Sequence, residues 1–158
     1  MQAYLANFIY LHSILRYFIL LFALIVAFQS IFGLLGKRKF HKLNKQVALV
    51  LLIFCDLQLL IGGLLYYYKV LGAGYFSQGG VMSDTYRRFY AVEHGVGMVI
   101  AILLVHIGYS VTKKNWDADR KFKRLFWCSF LALVLFTVMT PWQSRQLVGR
   151  PNVPHLSH

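Results

Sequence analysis

A few residues capable of acid–base or ligand chemistry sit inside long apolar runs of this chain. They are His12, Arg16 and Gln29 in the first run, Asp56 and Gln58 in the second, and Glu93, His94 and His106 in the third. A charged side chain at the centre of a lipid-embedded helix costs about 2.5–3.5 kcal/mol, so such residues are where function concentrates. At 1.5 Å of rise per residue, His12 stands ~12 Å from a midplane near Leu20, and His94 ~10 Å from one near Ala101, on the same side. Two imidazoles at one level on two helices of a bundle can ligate a single metal centre between them. Zinc asks for three or four ligands, and Glu93 is the one further donor within obvious range. A bis-histidine haem needs only the two imidazoles, and its macrocycle suits apolar walls. The expectation is therefore one haem between helices 1 and 3, with His12 and His94 as its axial ligands. The competing reading of each histidine is a hydrogen-bonding contact between helices.

Arg16 lies one turn from His12 on the same helix face. It is too deep to snorkel easily, so it should meet an anion: Glu93, Asp56 or a haem propionate. Arg88, about a turn and a half before His94, is the second charge expected near the propionates. His106 lies ~18 Å along the helix from His94. No histidine stands at the matching level of the first run, between Leu24 and Gln29, so one haem is favoured over two. Asp56 and His106 fall at similar depths on neighbouring helices and should pair, as structural glue or as part of a proton path.

The elements that must position these residues follow from composition. Of 158 residues, 58% are hydrophobic and 14% charged, with mean hydropathy +0.56. A soluble domain carries about a quarter charged residues, so the apolar excess here faces lipid. Apolar stretches at about 4–35, 46–68, 89–112 and 125–142 each approach or exceed the ~20 residues that cross a bilayer. The fold class expected is all-α: an integral membrane four-helix up-down-up-down bundle forming a single domain, followed by a tail at 143–158.

The net charge of +12 does not point to nucleic acid, because the basic residues lack an aromatic-interleaved surface. Eleven of them occupy two short segments, GKRKFHKLNK and KKNWDADRKFKR, whereas the other ends of the spans carry five. The positive-inside rule puts those two segments in the cytoplasm and both termini outside it. Cys55 and Cys128 both lie within apolar runs and have no metal-ligand spacing. The N-terminus lacks the basic start of a cleaved signal peptide. The Gly-rich segment GAGYFSQGGVMSDTYRR reads as a surface connection beside an aromatic belt. Gly62-Gly63 is the one hint of a broken, transporter-like helix.

The strings YLHSILRYFILL at 10–21, DLQLLIGGLLYYY at 56–68 and RRFYAVEHGVGMVIAILLVHIGYSVTKK at 87–114, with the closing PW at 141–142, resemble a bacterial family. Its members are small four-helix membrane proteins labelled cytochrome B-like. The resemblance runs from residue 10 to 142, and its motif histidines fall on His12 and His94. Arg16, Gln58, Arg88 and Glu93 also fall on motif positions, and His106 does not. It implies a b-type electron carrier of the bacterial inner membrane, serving a respiratory or redox assembly with protein partners and possible quinol. Under this reading the chain is an electron carrier or subunit rather than a stand-alone enzyme. The alternative is a haem-free accessory subunit of a larger inner-membrane complex.

Overall fold

The computed structural model describes residues 2–150; positions 151–158 of the expected tail lie outside the described residues. Five α-helices follow in order: α1 (Gln2–Leu35), α2 (Lys42–Tyr66), α3 (Thr85–Arg88), α4 (His94–Ser110) and α5 (Ala118–Met139). A π turn, Tyr67–Leu71, prolongs α2, and another, Phe89–Glu93, joins α3 to α4. No strand occurs among the described residues. Among the described residues, four helical stretches are long and apolar enough to cross a membrane: Tyr4–Leu35, Lys42–Leu71, Thr85–Lys113 and Ala118–Met139. Large apolar side chains such as Leu60, 71% exposed, line their outer faces, as a lipid environment requires.

The spans outrun the apolar segments that announce them. α2 begins at Lys42 rather than near Gln46, because the His41 backbone N–H donates to Asn44 Oδ1 at 2.9 Å and starts the helix inside the basic segment. α5 begins at Ala118, seven residues before the apolar run, with Asp117 at its N-cap and Asp119 in its first turn, where carboxylates favour the helix dipole. Lys and Arg are good helix formers, so a basic flank extends a span without ending it. α1 ends in the opposite way. Lys37 takes a left-handed φ of 48°, Arg38 N–H donates to Gly33 O at 2.9 Å and Lys37 N–H to Leu34 O at 3.2 Å, which closes the last turn.

α1 packs against both α2 and α5, and α4 packs against α5 and α2. Ala23, Ala101 and Ala132 are fully buried and let the backbones approach, with Ile19, Val26, Leu51, Ile102 and Phe136 filling the core around them. α5 also seats its large side chains on glycines. Phe122 lies over Gly33, and Met139 over Gly97, each where a Cβ would stand 2.5 Å away. Gln29 and Asn44 tie the end of α1 to the start of α2 through paired 3.3 Å hydrogen bonds.

Candidate functional site

A cavity of about 910 Å³ opens between α1, α2 and α4, within the size range of small-molecule and cofactor sites. Its walls are mostly aliphatic and aromatic. The polar side chains reaching it include His12, Arg16, Gln58, Lys69, His94 and Arg150. Both expected ligand histidines are thus brought to one cavity.

His12 projects from α1 toward α2 at a point where α2 has no side chain. A Cβ on Gly62 would stand 3.2 Å from His12 Cε1, a tight contact that glycine spares the imidazole. Gln58, one turn earlier on α2, donates from Nε2 to the His12 carbonyl at 2.9 Å. α2 runs unbroken through Gly62-Gly63, so these glycines make room for a ring rather than break a helix. Nδ1 of His12 and Oε1 of Gln58 are buried and lack hydrogen-bond partners among the described residues. Orphaned buried polar atoms are few in native proteins, and these two belong to residues that line one cavity.

His94 is positioned by the end of α5. The last four carbonyls of a helix have no partner within it, and here side chains take each of them. Thr140 Oγ1 donates to Phe136 O, Trp142 Nε1 to Thr137 O and Arg145 to Val138 O. The fourth, Met139 O, accepts from His94 Nδ1–H at 2.7 Å. A ring that donates from Nδ1 to a carbonyl keeps its lone pair on Nε2 in the neutral form, the arrangement usual for metal-ligating histidines. The His12 and His94 ring centres are 6.4 Å apart with planes at 61°. Two imidazoles that share one metal through bonds of about 2 Å hold their ring centres roughly 6 Å apart. The ring-centre separation is close to that value, and the cavity walls around the pair are mostly aliphatic and aromatic, as a macrocycle would need.

The charged residues divide in a way sequence did not foresee. Arg16 lines the cavity, with its guanidinium 4.8 Å from the Tyr17 ring centre and 5.3 Å from that of Trp142. Two of its expected anions are engaged elsewhere. Glu93 accepts from Arg88 Nε at 2.7 Å, and Asp56 Oδ1 lies 3.3 Å from His106 Nε2. Arg88 also donates to Met82 O at 3.0 Å and does not line the cavity. It fastens the α3–α4 junction. Glu93, the possible third metal donor, is held in that same ion pair. Lys69, Gly62 and Arg150 also line the cavity, although in sequence Gly62 reads only as a hint of a broken helix and Lys69 and Arg150 only as charges at the ends of spans. Arg150 in particular sat in a stretch counted only for its charge.

Asp56 and His106 meet as expected, and His106 Nδ1–H donates to Ile102 O at 3.0 Å, which turns Nε2 toward the carboxylate. Both side chains stay about half exposed on the face between α2 and α4. Either Asp56→Ala or His106→Ala should lower thermal stability by about 1 kcal/mol, the scale of polar contacts between membrane helices. The double substitution should cost less than the two singles added, because contacting residues couple. Strict additivity in melting experiments would show that the contact contributes nothing.

No protein-family model, curated protein or solved structure matches this chain, so its functional reading rests on the residues and geometry just described.

Proposed function

We propose that this chain is a multi-pass protein of the bacterial inner membrane that binds one b-type haem between α1 and α4 and passes electrons within a membrane redox assembly. The observation that carries the reading is the pair of imidazoles 6.4 Å apart on the wall of a cavity of about 910 Å³. His12 and His94 would be the axial ligands, and Arg16 would face a propionate. A haem held there would supply one-electron transfer, with the protein tuning it through axial ligation, hydrogen bonding and burial. The chain's own part is orientation and exclusion of water. Met139 O fixes the His94 tautomer, Gly62 leaves room beside the His12 ring, and mostly aliphatic and aromatic side chains line the site. Donor and acceptor would be membrane partners, quinol among them. Protein purified from a haem-replete host should be red, with about one haem per chain and a sharp α band on reduction. Colourless protein would overturn the reading.

The haem-free accessory subunit is the second reading, and the half-exposed Asp56–His106 pair favours a covering partner under either one. An up-down-up-down order with both termini outside the cytoplasm completes the proposal. Its support is the contact of Gln29 with Asn44 at one end of α1 and of His12 with Gln58 toward the other, together with the basic segments after α1 and before α5. Reporter fusions at Asn44 and Asn115 should be active only with a cytoplasmic reporter. A periplasmic reporter active at Asn115 would reverse the orientation.

A further inference from the structure

The fold gathers the two basic segments at one end of the bundle. Phe40, between α1 and α2, packs on Phe122 of α5 with ring centres 5.0 Å apart. Lys121 Nζ stands 5.4 Å from the centre of that Phe40 ring. Phe122 is the ring seated over Gly33, so the packing of α5 on α1 fixes the contact. Apart from Lys45 and Lys121, the eleven Lys and Arg side chains of these segments are exposed. Protein carboxylates do not pair with them. The ion pairs among the described residues are Arg87–Asp84, Arg88–Glu93 and His106–Asp56, and none involves either segment. A concentration of one sign of charge draws its counter-charge from outside the chain.

Within this field one group of side chains is held in a definite arrangement. Trp116, half-buried two residues before α5, carries two exposed cations on its ring. Lys114 Nζ lies 4.6 Å from the ring centre, and the Arg120 guanidinium 4.2 Å. The indole attracts each cation through its quadrupole and so keeps two like charges beside each other. A tryptophan at the end of a membrane span lies at headgroup level, with its apolar body toward the acyl chains. α5 continues from there with an apolar outer stripe. Trp127, Leu131, Val134 and Val138 are all exposed, and their spacings of four, three and four put them on one helix face. Arg120, two turns before Trp127, falls on that same face.

We propose that Lys114, Trp116 and Arg120 form a binding site for the headgroup of an anionic phospholipid, whose acyl chains lie along the exposed stripe of α5. The phosphate supplies the counter-charge of both cations, and the stripe accepts the part of the molecule that a free anion lacks. The site depends on the spans crossing a membrane and not on the haem reading.

The test uses full-length protein in mild detergent and reads the lipid retained per chain by native mass spectrometry. The probes are phosphatidylglycerol, phosphatidylcholine with the same acyl chains, and inorganic phosphate. Wild type should retain phosphatidylglycerol about tenfold more than phosphatidylcholine, the scale of two basic side chains on one anionic headgroup. Inorganic phosphate at equal concentration should not displace it. Lys114→Gln with Arg120→Gln should remove most of the preference, and each single substitution part of it. Trp116→Ala keeps both charges but releases them from the ring, so it should also lose part. Lys39→Gln takes one charge from the same end, outside the group, and should keep the preference. The Lys and Arg variants should melt as wild type does, because the side chains replaced are exposed and make no ion pair. A preference that survives in the double variant would overturn the site. So would an equal loss in Lys39→Gln and in each single variant, which would mean a diffuse attraction to the charged end. Displacement by inorganic phosphate would make the ligand a free anion, and equal retention of both lipids by wild type would leave no anionic-lipid site at all.

Discussion

If the chain holds haem as proposed, His12→Ala and His94→Ala should each abolish or convert the b-type spectrum of the reduced protein, while His106→Ala leaves it nearly unchanged. The reason is geometric. The His12 and His94 rings stand 6.4 Å apart across a shared cavity, whereas His106 faces Asp56 outside the cavity lining. Loss of either imidazole would remove one of the two side chains that would hold the haem, and the α band would read that change. Replacing His94 also releases Met139 O, a helix-terminal carbonyl otherwise satisfied by the imidazole. That variant should therefore lose thermal stability as well as its spectrum, by about 1–3 kcal/mol for a buried unpaired group. His12→Ala has no such second effect, because no hydrogen bond to its buried Nδ1 exists among the described residues to be broken. A normal spectrum in either variant would remove that histidine from the site, and a spectrum lost in His106→Ala would point to a different ligand pair.

The second large effect is on packing. Gly33→Ala should lower stability by about 1–3 kcal/mol, the usual cost of forcing extra volume into a filled core. The added methyl would stand 2.5–2.7 Å from three atoms of the Phe122 ring. That ring is 1% exposed and has Phe40 packed on it with ring centres 5.0 Å apart, so it cannot swing clear. α5 would have to move away from α1, and α5 also carries the Met139 carbonyl that orients His94. Pairing Gly33→Ala with Phe122→Leu should recover part of the loss, since the smaller side chain frees the volume that the methyl needs. Melting temperatures of the two singles and the double check this, and a double variant as poor as the sum of both singles would show that the two positions do not share the space.

The spans and the matched level of the two histidines could be read from residue order alone. Rise along a helix is a one-dimensional quantity, so counting from Leu20 to His12 and from Ala101 to His94 placed both imidazoles at one depth without knowledge of any neighbour. The pairing of Asp56 with His106 followed in the same way. Apolar length located the membrane-crossing stretches, although the start of α5 escaped, because the helix continues through Arg120, Lys121, Lys123 and Arg124 where hydropathy has already fallen.

What surrounds the imidazoles was settled only by folding. A membrane helix is apolar nearly all round, so the hydrophobic periodicity that shows which face of a soluble helix is buried is absent here. Nothing in residue order tells Arg88 from Arg16: one turns to Glu93 and leaves the cavity, the other lines it. Gly62 resembles a helix breaker until the ring of His12 is found 3.2 Å from where its Cβ would be. Arg150 lies 56 residues from His94 in sequence and reaches the same cavity because Pro141 ends α5 and hydrogen bonds to Tyr90 and Tyr86 draw the segment back. Depth along a helix is set by covalent geometry and can be counted. Rotation about its axis and the return path of a loop are set by which side chains fit together, and these the tertiary structure decided.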